Sequence, residues 1–437
     1  MKLLIKGGRV IDPANKVDAV QDVLVKDGKI AAVGKDLGSE AAEKAKVINA
    51  KGKLVVPGLI DMHTHLREPG FEYKEDIASG TRAAACGGYT SVVAMANTKP
   101  VIDTASEVTF VRERAATTGI ANVFPVGAVT KGQKGEELAE IGDMAAAGAV
   151  AVSDDGHPVQ NGEVMRCALE YAKMFKVPVI SHCEDRPLAG DGVINLGRVS
   201  TVLGLRGMPA AAEEAMVARD ILLAELTGGH VHLTHISTAR SVDLIRWAKG
   251  RARENGFTVT CDCTPHHLTL TEDAVEKYLY DTNTKVNPPL RTIADVEALR
   301  RGLVDGTIDA IATDHAPHHL DDKDVEYNYA AFGIVGLETA VGLIFSELVA
   351  KKLITAALAV EKLTAGPAGV LGLPKGTLQP GADADVTVID PAAKWTVDSA
   401  TFASRARNTP FGGWELTGRA VLTVVGGKVV AEDGKPS

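Results

Sequence analysis

Cysteine is scarce in this chain, and its five residues (Cys86, Cys167, Cys183, Cys261 and Cys263) are odd in number. That excludes a disulfide-framed secreted fold and sets the expectation of a reducing compartment. Cys261-x-Cys263 has the wrong spacing for a zinc knuckle and lies in a strand-like run, so both read as small core hydrophobes. No stretch approaches the ~18 consecutive apolar residues that a membrane helix needs. Residues 1–8 are broken by Lys6 and two glycines, unlike a signal peptide. A cytoplasmic protein with no membrane contact is expected. Blocks of Lys and Arg are also missing, and a net charge of -9 argues against a nucleic-acid partner.

What is present is the texture of a soluble enzyme. With 437 residues, 45% of them hydrophobic and 24% charged, the chain suits one large α/β barrel with a smaller accessory unit. Residues 1–57 read as short strands separated by turns, with Asp27-Gly28 as a hairpin signal. From residue 58 apolar runs alternate with segments of helical period. The runs are 58–66, 89–97, 122–130, 149–155, 177–184, 230–237, 257–264 and 308–315; helices are expected at 77–86, 105–117, 136–146, 161–175, 210–226, 238–255 and 292–303. Eight repeats with strands apolar on both faces predict a (β/α)8 TIM barrel over 58–366, closed by helices within 333–364. Strands return in 367–437. The two flanking β segments are too short and one-sided to bury a core alone, so they are expected to form one discontinuous β-sandwich domain.

The chain is organised around Leu59-Ile60-Asp61-Met62-His63-Thr64-His65-Leu66-Arg67-Glu68-Pro69-Gly70. On a strand, His63 and His65 share a face, and two adjacent imidazoles invite a metal. In such a barrel, polar residues at the C-terminal strand ends face the site. Strand four ends in Ser153-Asp154-Asp155-Gly156, strand five in Ser181-His182-Cys183-Glu184, strand six in Thr234-His235-Ile236-Ser237 and strand eight in Thr313-Asp314-His315. One such histidine is ordinarily a satisfied core residue, but five convergent endings are not explained that way. Four histidines and two carboxylates exceed one ion's needs and suit a two-metal site that activates a bridging hydroxide beside a proton-shuttling carboxylate.

This pattern resembles the amidohydrolase superfamily. Residues 63–70, Met95-Ala96-Asn97-Thr98-Lys99-Pro100, Ala312-Thr313-Asp314-His315-Ala316-Pro317-His318 and Phe332-Gly333-Ile334-Val335-Gly336-Leu337-Glu338 are similar to the bacterial class I dihydroorotases over essentially the whole chain. The resemblance implies a zinc enzyme of pyrimidine biosynthesis that cyclises N-carbamoyl-L-aspartate reversibly to (S)-dihydroorotate. It implies two zinc ions per subunit, His63 and His65 on the first, His182 and His235 on the second, and Asp155 bridging where many relatives carry a carboxylated lysine. Asp154, on the opposite face, is left out. Asp314 would touch the first metal and act as general base and acid. Arg67 would clamp a substrate carboxylate in a bidentate fork. Asn97, Asn287, His318 and the backbone at Phe332 and Gly333 would complete the pocket, and the 315–332 loop would act as a lid. A homodimer and an assembly with aspartate transcarbamoylase are both compatible partners.

Two rival readings stand beside this one. An allantoinase or hydantoinase would share the barrel but generally carries lysine at the position of Asp155. A catalytically inactive subunit of aspartate transcarbamoylase would have lost metal ligands, and here all six positions are filled.

Overall fold

The structure is a computed structural model that describes residues 2–37 and 45–437. Eight parallel strands run Leu59–Thr64, Tyr89–Ala94, Asn122–Gly127, Ala151–Ser153, Val179–His182, His230–Thr234, Thr258–Cys263 and Ala310–Ile311, paired in sequence order. The barrel closes between first and last through the Thr64–His315 bridge, where His65 N–H donates to the His315 carbonyl at 2.9 Å. Most barrel strands are buried along their whole length, as expected of parallel strands covered by helices outside and filled by side chains inside.

The helices coincide with expectation to within a residue, as at Ile77–Gly87, Gly162–Phe175 and Ala211–Thr227, with one exception. Their starts are written locally: Asp76 and Ser79 form a capping box, and Thr292 with Asp295 forms another. The exception is 136–146, where the helix is only Ile141–Ala147. The preceding residues are captured by the barrel, because Asp154 accepts the Val129 and Thr130 amides at 2.7 and 3.1 Å and Lys131 N–H donates to the Glu137 carbonyl. The closing helices expected within 333–364 begin at Ala340, and the first continues into a π-helical segment, Ile344–Val349. The last helix, Ala365–Leu371, runs through Pro367, which sits in its first turn where no intrahelical N–H is needed.

The flanking segments make one nine-stranded sheet. Leu54–Pro57 pairs antiparallel with Val386–Thr396, so the N- and C-terminal pieces are joined through the ladder. Leu3, Ile5, Val23 and Val55 share a single core with Val386, Val388, Leu422 and Val424. The Asp27-Gly28 hairpin forms with Lys26 opposite Lys29. Between the long strands Val386–Thr396 and Glu415–Val425 the chain leaves this sheet to reach the barrel rim. There Asn408 donates to the Ala316 and Gly333 carbonyls at 3.0 and 3.1 Å and accepts the His318 amide at 3.2 Å.

Candidate active site

Six buried side chains converge at the C-terminal mouth of the barrel: His63, His65, Asp155, His182, His235 and Asp314. They form two triads sharing one carboxylate, His63–His65–Asp155 and Asp155–His182–His235, each with its ligand atoms within 4.8 Å of one another. One oxygen of Asp155 lies 3.4 Å from both His63 Nε2 and His65 Nε2; the other lies 3.4 Å from His235 Nε2 and 3.6 Å from His182 Nδ1. Asp314 adds an oxygen 3.2 Å from His65 Nε2 and 3.6 Å from His63 Nε2. Among the described residues, His63 Nε2 and His235 Nδ1 are buried without a hydrogen-bond partner. Orphaned imidazole nitrogens beside a two-faced carboxylate suit a pair of cations. Asp154 faces away, gripping Val129 and Thr130.

Strand alternation alone does not aim this set. The first strand ends at Thr64, and Arg67 reaches the site through a left-handed turn at φ 62°. His235 and Asp314 are also left-handed, at φ 40° and 49°. Three non-glycine residues in that region, all at one site, are backbone strain held by the surrounding hydrogen bonds. Around them lies a cavity of about 230 Å³ lined by Arg67, Asn97, Asn287, His318, Phe332 and Gly333 together with the six converging side chains other than His63. Arg67 donates to the Pro317 carbonyl at 3.2 Å and lies 3.4 Å from His318 Nε2. Asn97 and Asn287 also brace the centre: Asn97 Oδ1 is 2.9 Å from His65 Nδ1, and Asn287 Nδ2 donates to Glu184 at 2.6 Å. The loop after Asp314 carries a short helix, Leu320–Lys323.

Charge at the centre is strongly coupled. Burial opposes ionisation of Asp155, but the His63 charge and the hydrogen bond from His235 outweigh it and hold the carboxyl well below its ordinary range. Burial likewise opposes a charged His63, yet Asp155 and then Asp314 push it up to about 10. Burial and the Arg67 charge lower His65. Asp314, despite burial, is held down by its hydrogen bond to His65 and the charge of His63. Arg67 falls to about 10 through burial and stays a cation at neutral pH.

Comparison with known proteins settles the family. A family model described as "Dihydro-orotase-like" matches residues 52–241, and one described as "Amidohydrolase family" matches 274–431. A dihydroorotase of Pelotomaculum thermopropionicum is 60% identical over 99% of both chains, and one of Syntrophotalea carbinolica is 56% identical over 98% of this chain and 99% of its own. The chain belongs to the dihydroorotase family. Its fold is shared more widely within the amidohydrolases: an L-hydantoinase (dihydropyrimidinase) from Arthrobacter aurescens superposes with a TM-score of 0.89, covering 100% of this chain and 97% of that one, at 26% identity. The barrel therefore does not distinguish the hydantoinase reading from the dihydroorotase one; the sequence does.

Sequence reasoning missed the supports of this dihydroorotase-family centre. Asp262, on the seventh strand, accepts the His235 amide at 2.7 Å, the Thr234 hydroxyl at 2.9 Å and His232 Nε2 at 2.8 Å, and Thr234 in turn meets His63 Nδ1 at 2.8 Å. One carboxylate thus steadies a ligand of each triad. Glu184, two residues past His182, lies 3.2 Å from that ring's Nε2. Its carboxyl is held down to about 2, because hydrogen bonding to His182 and its charge overcome burial. Glu184 was visible in the strand-five ending; Asp262 had no signal beyond being the one charged residue in a strand of threonine, valine and cysteine.

Proposed function

We propose that the chain catalyses the reversible cyclisation of N-carbamoyl-L-aspartate to (S)-dihydroorotate, in the cytoplasm, as a step of pyrimidine synthesis. The observation that carries this reading is a half-buried guanidinium, Arg67, in the wall of a small cavity whose floor is the twin-triad centre. A cyclic amide bearing a carboxylate needs that cation; an uncharged hydantoin or dihydrouracil does not.

This donor set would suit two zinc ions: His63, His65 and Asp314 would hold one and His182 and His235 the other, with Asp155 common to both triads. Bound there, they would supply Lewis acidity and a water acidic enough to be a nucleophile at neutral pH. The chain's own residues do the rest. Arg67 holds the ring carboxylate as a bidentate fork, and Asn97, Asn287, His318 and the Phe332–Gly333 backbone fix the ring. Asp314, held ionised, takes a proton in the hydrolytic direction and delivers it to the leaving ring nitrogen. Cyclisation reverses these steps.

N-Carbamoyl aspartate carries two carboxylates and dihydroorotate one, so cyclisation takes up a proton and hydrolysis is favoured at alkaline pH. The decisive assay is hydrolysis of dihydroorotate at alkaline pH by the zinc-loaded chain, beside allantoin and dihydrouracil. Turnover of dihydroorotate alone, lost in Asp314→Ala, supports the reading; turnover of the uncharged rings instead returns the hydantoinase alternative. No turnover leaves two explanations that metal content separates: zinc retained points to a missing partner subunit, zinc not held to an inactive subunit. Sedimentation alone and with aspartate transcarbamoylase separates a homodimer from a joint assembly.

A further inference from the structure

His318, which lines the substrate cavity with Phe332 and Gly333, also borders a second cavity. That cavity, of about 440 Å³ against about 230 Å³ for the site, is lined by Leu320, Lys323 and Asp324 as well. Phe332 packs on an apolar cluster that includes Val193 and Tyr327, and the backbone around it is gathered by polar contacts as well. Two buried lysines make those contacts.

Lys323, 5% exposed, donates to the Ala331 carbonyl at 2.8 Å and the Gly333 carbonyl at 3.1 Å. These carbonyls flank Phe332, whose own carbonyl lies 2.8 Å from His318 Nε2. Lys285, 2% exposed, donates to the carbonyls of Tyr327 and Asn328 at 2.9 and 3.0 Å, and its ammonium sits 4.5 Å from the Phe332 ring centre. Its backbone carbonyl accepts the Gly333 amide at 2.9 Å. Among the described residues neither ammonium has a carboxylate within ion-pair distance. Burying an unpaired cation is costly, and such a group persists where the contacts it makes are needed.

We infer that Lys285 and Lys323 are positioning residues for the substrate: by gathering the carbonyls of residues 327–333 they hold the Phe332–Gly333 backbone and His318 at the spacing the ring requires. This rests on the dihydroorotate reading for its substrate, though not for its structural half. Neither lysine touches the reacting atoms, so their removal acts on binding rather than on chemistry.

The test compares the zinc-loaded parent with Lys323→Met and Lys285→Met, reading kcat and KM for dihydroorotate and amide hydrogen exchange peptide by peptide. Lys323→Met is expected to raise KM at least tenfold with kcat within threefold of the parent, and to speed exchange at least tenfold in 327–333 while the barrel strands stay protected. Unchanged KM with unchanged local exchange overturns the inference, as does a loss confined to kcat. If Lys323→Met does not fold, Lys285→Met carries the same expectation and the same refutation. If the parent leaves dihydroorotate intact, the substrate reading falls, and the exchange pattern alone decides whether these lysines hold the wall.

Discussion

Replacing Asp262 by asparagine tests how much of the centre depends on one carboxylate that meets no substrate. Asp262 is buried and accepts three donors, His235 N–H on one oxygen and the Thr234 hydroxyl and His232 on the other. Burial opposes its charge, but the hydrogen bond and charge of His232 hold its carboxyl below the ordinary value. An asparagine can keep its oxygen toward Thr234 and His232 only by turning its NH2 group onto the His235 amide, setting donor against donor. Losing a charge-assisted bond costs ~1.5–3 kcal/mol and leaving a buried N–H unpaired a further ~1–3 kcal/mol, so a stability loss of about 3–5 kcal/mol is expected. The same amide pins His235 at φ 40°, and Thr234 orients His63, so both triads loosen together. Groups of this kind are worth ~10–100-fold in metal affinity. Urea denaturation of the metal-free chain and competition for zinc with a chromophoric chelator read the two effects. A stability change under ~1 kcal/mol together with unchanged zinc affinity would refute the assignment.

Further outcomes follow from other parts of the site. Arg67→Lys keeps the charge and loses the fork, so KM for dihydroorotate is expected to rise by ~10–100-fold with little change in kcat, as steady-state kinetics will show. Gly333→Ala places a Cβ 2.6 Å from the Ala316 Cβ at φ 118° and should cost ~1–3 kcal/mol in thermal stability and weaken substrate binding; an unaltered KM would count against the pocket assignment. His267 is buried neutral between Thr264 and the Pro288 carbonyl, and burial brings it down to about 4. Its folded value lies below its unfolded one, so stability is lost as pH falls from ~6.5 toward 4, by up to ~3 kcal/mol, and His267→Gln should flatten that slope in pH-dependent melts. Because His63 in the metal-free site holds a proton to about 10, zinc binding at neutral pH should release protons and tighten as pH rises. Calorimetry in buffers of different ionisation enthalpy counts them.

The sequence by itself determined the barrel and the converging ligands. Parallel strands buried on both faces read as apolar runs, helix starts carry their own caps, and polar side chains at strand ends are local to their strands; that His63, His65, Asp155, His182, His235 and Asp314 converge on one rim was legible for that reason. Only the tertiary structure decided what steadies them. Arg67 arrives through a left-handed turn rather than along the strand, residues 136–140 leave the expected helix to pair with the chain at 129–131, and Asp262 supports Thr234 and His235 of the neighbouring strand. Asn408 reaches the rim from the C-terminal segment, and Lys285 and Lys323 are gathered onto one short turn. A hydrogen bond between residues tens or hundreds of positions apart leaves no period in the chain. It exists only once closure of the barrel has brought its donor and acceptor together and excluded water from between them.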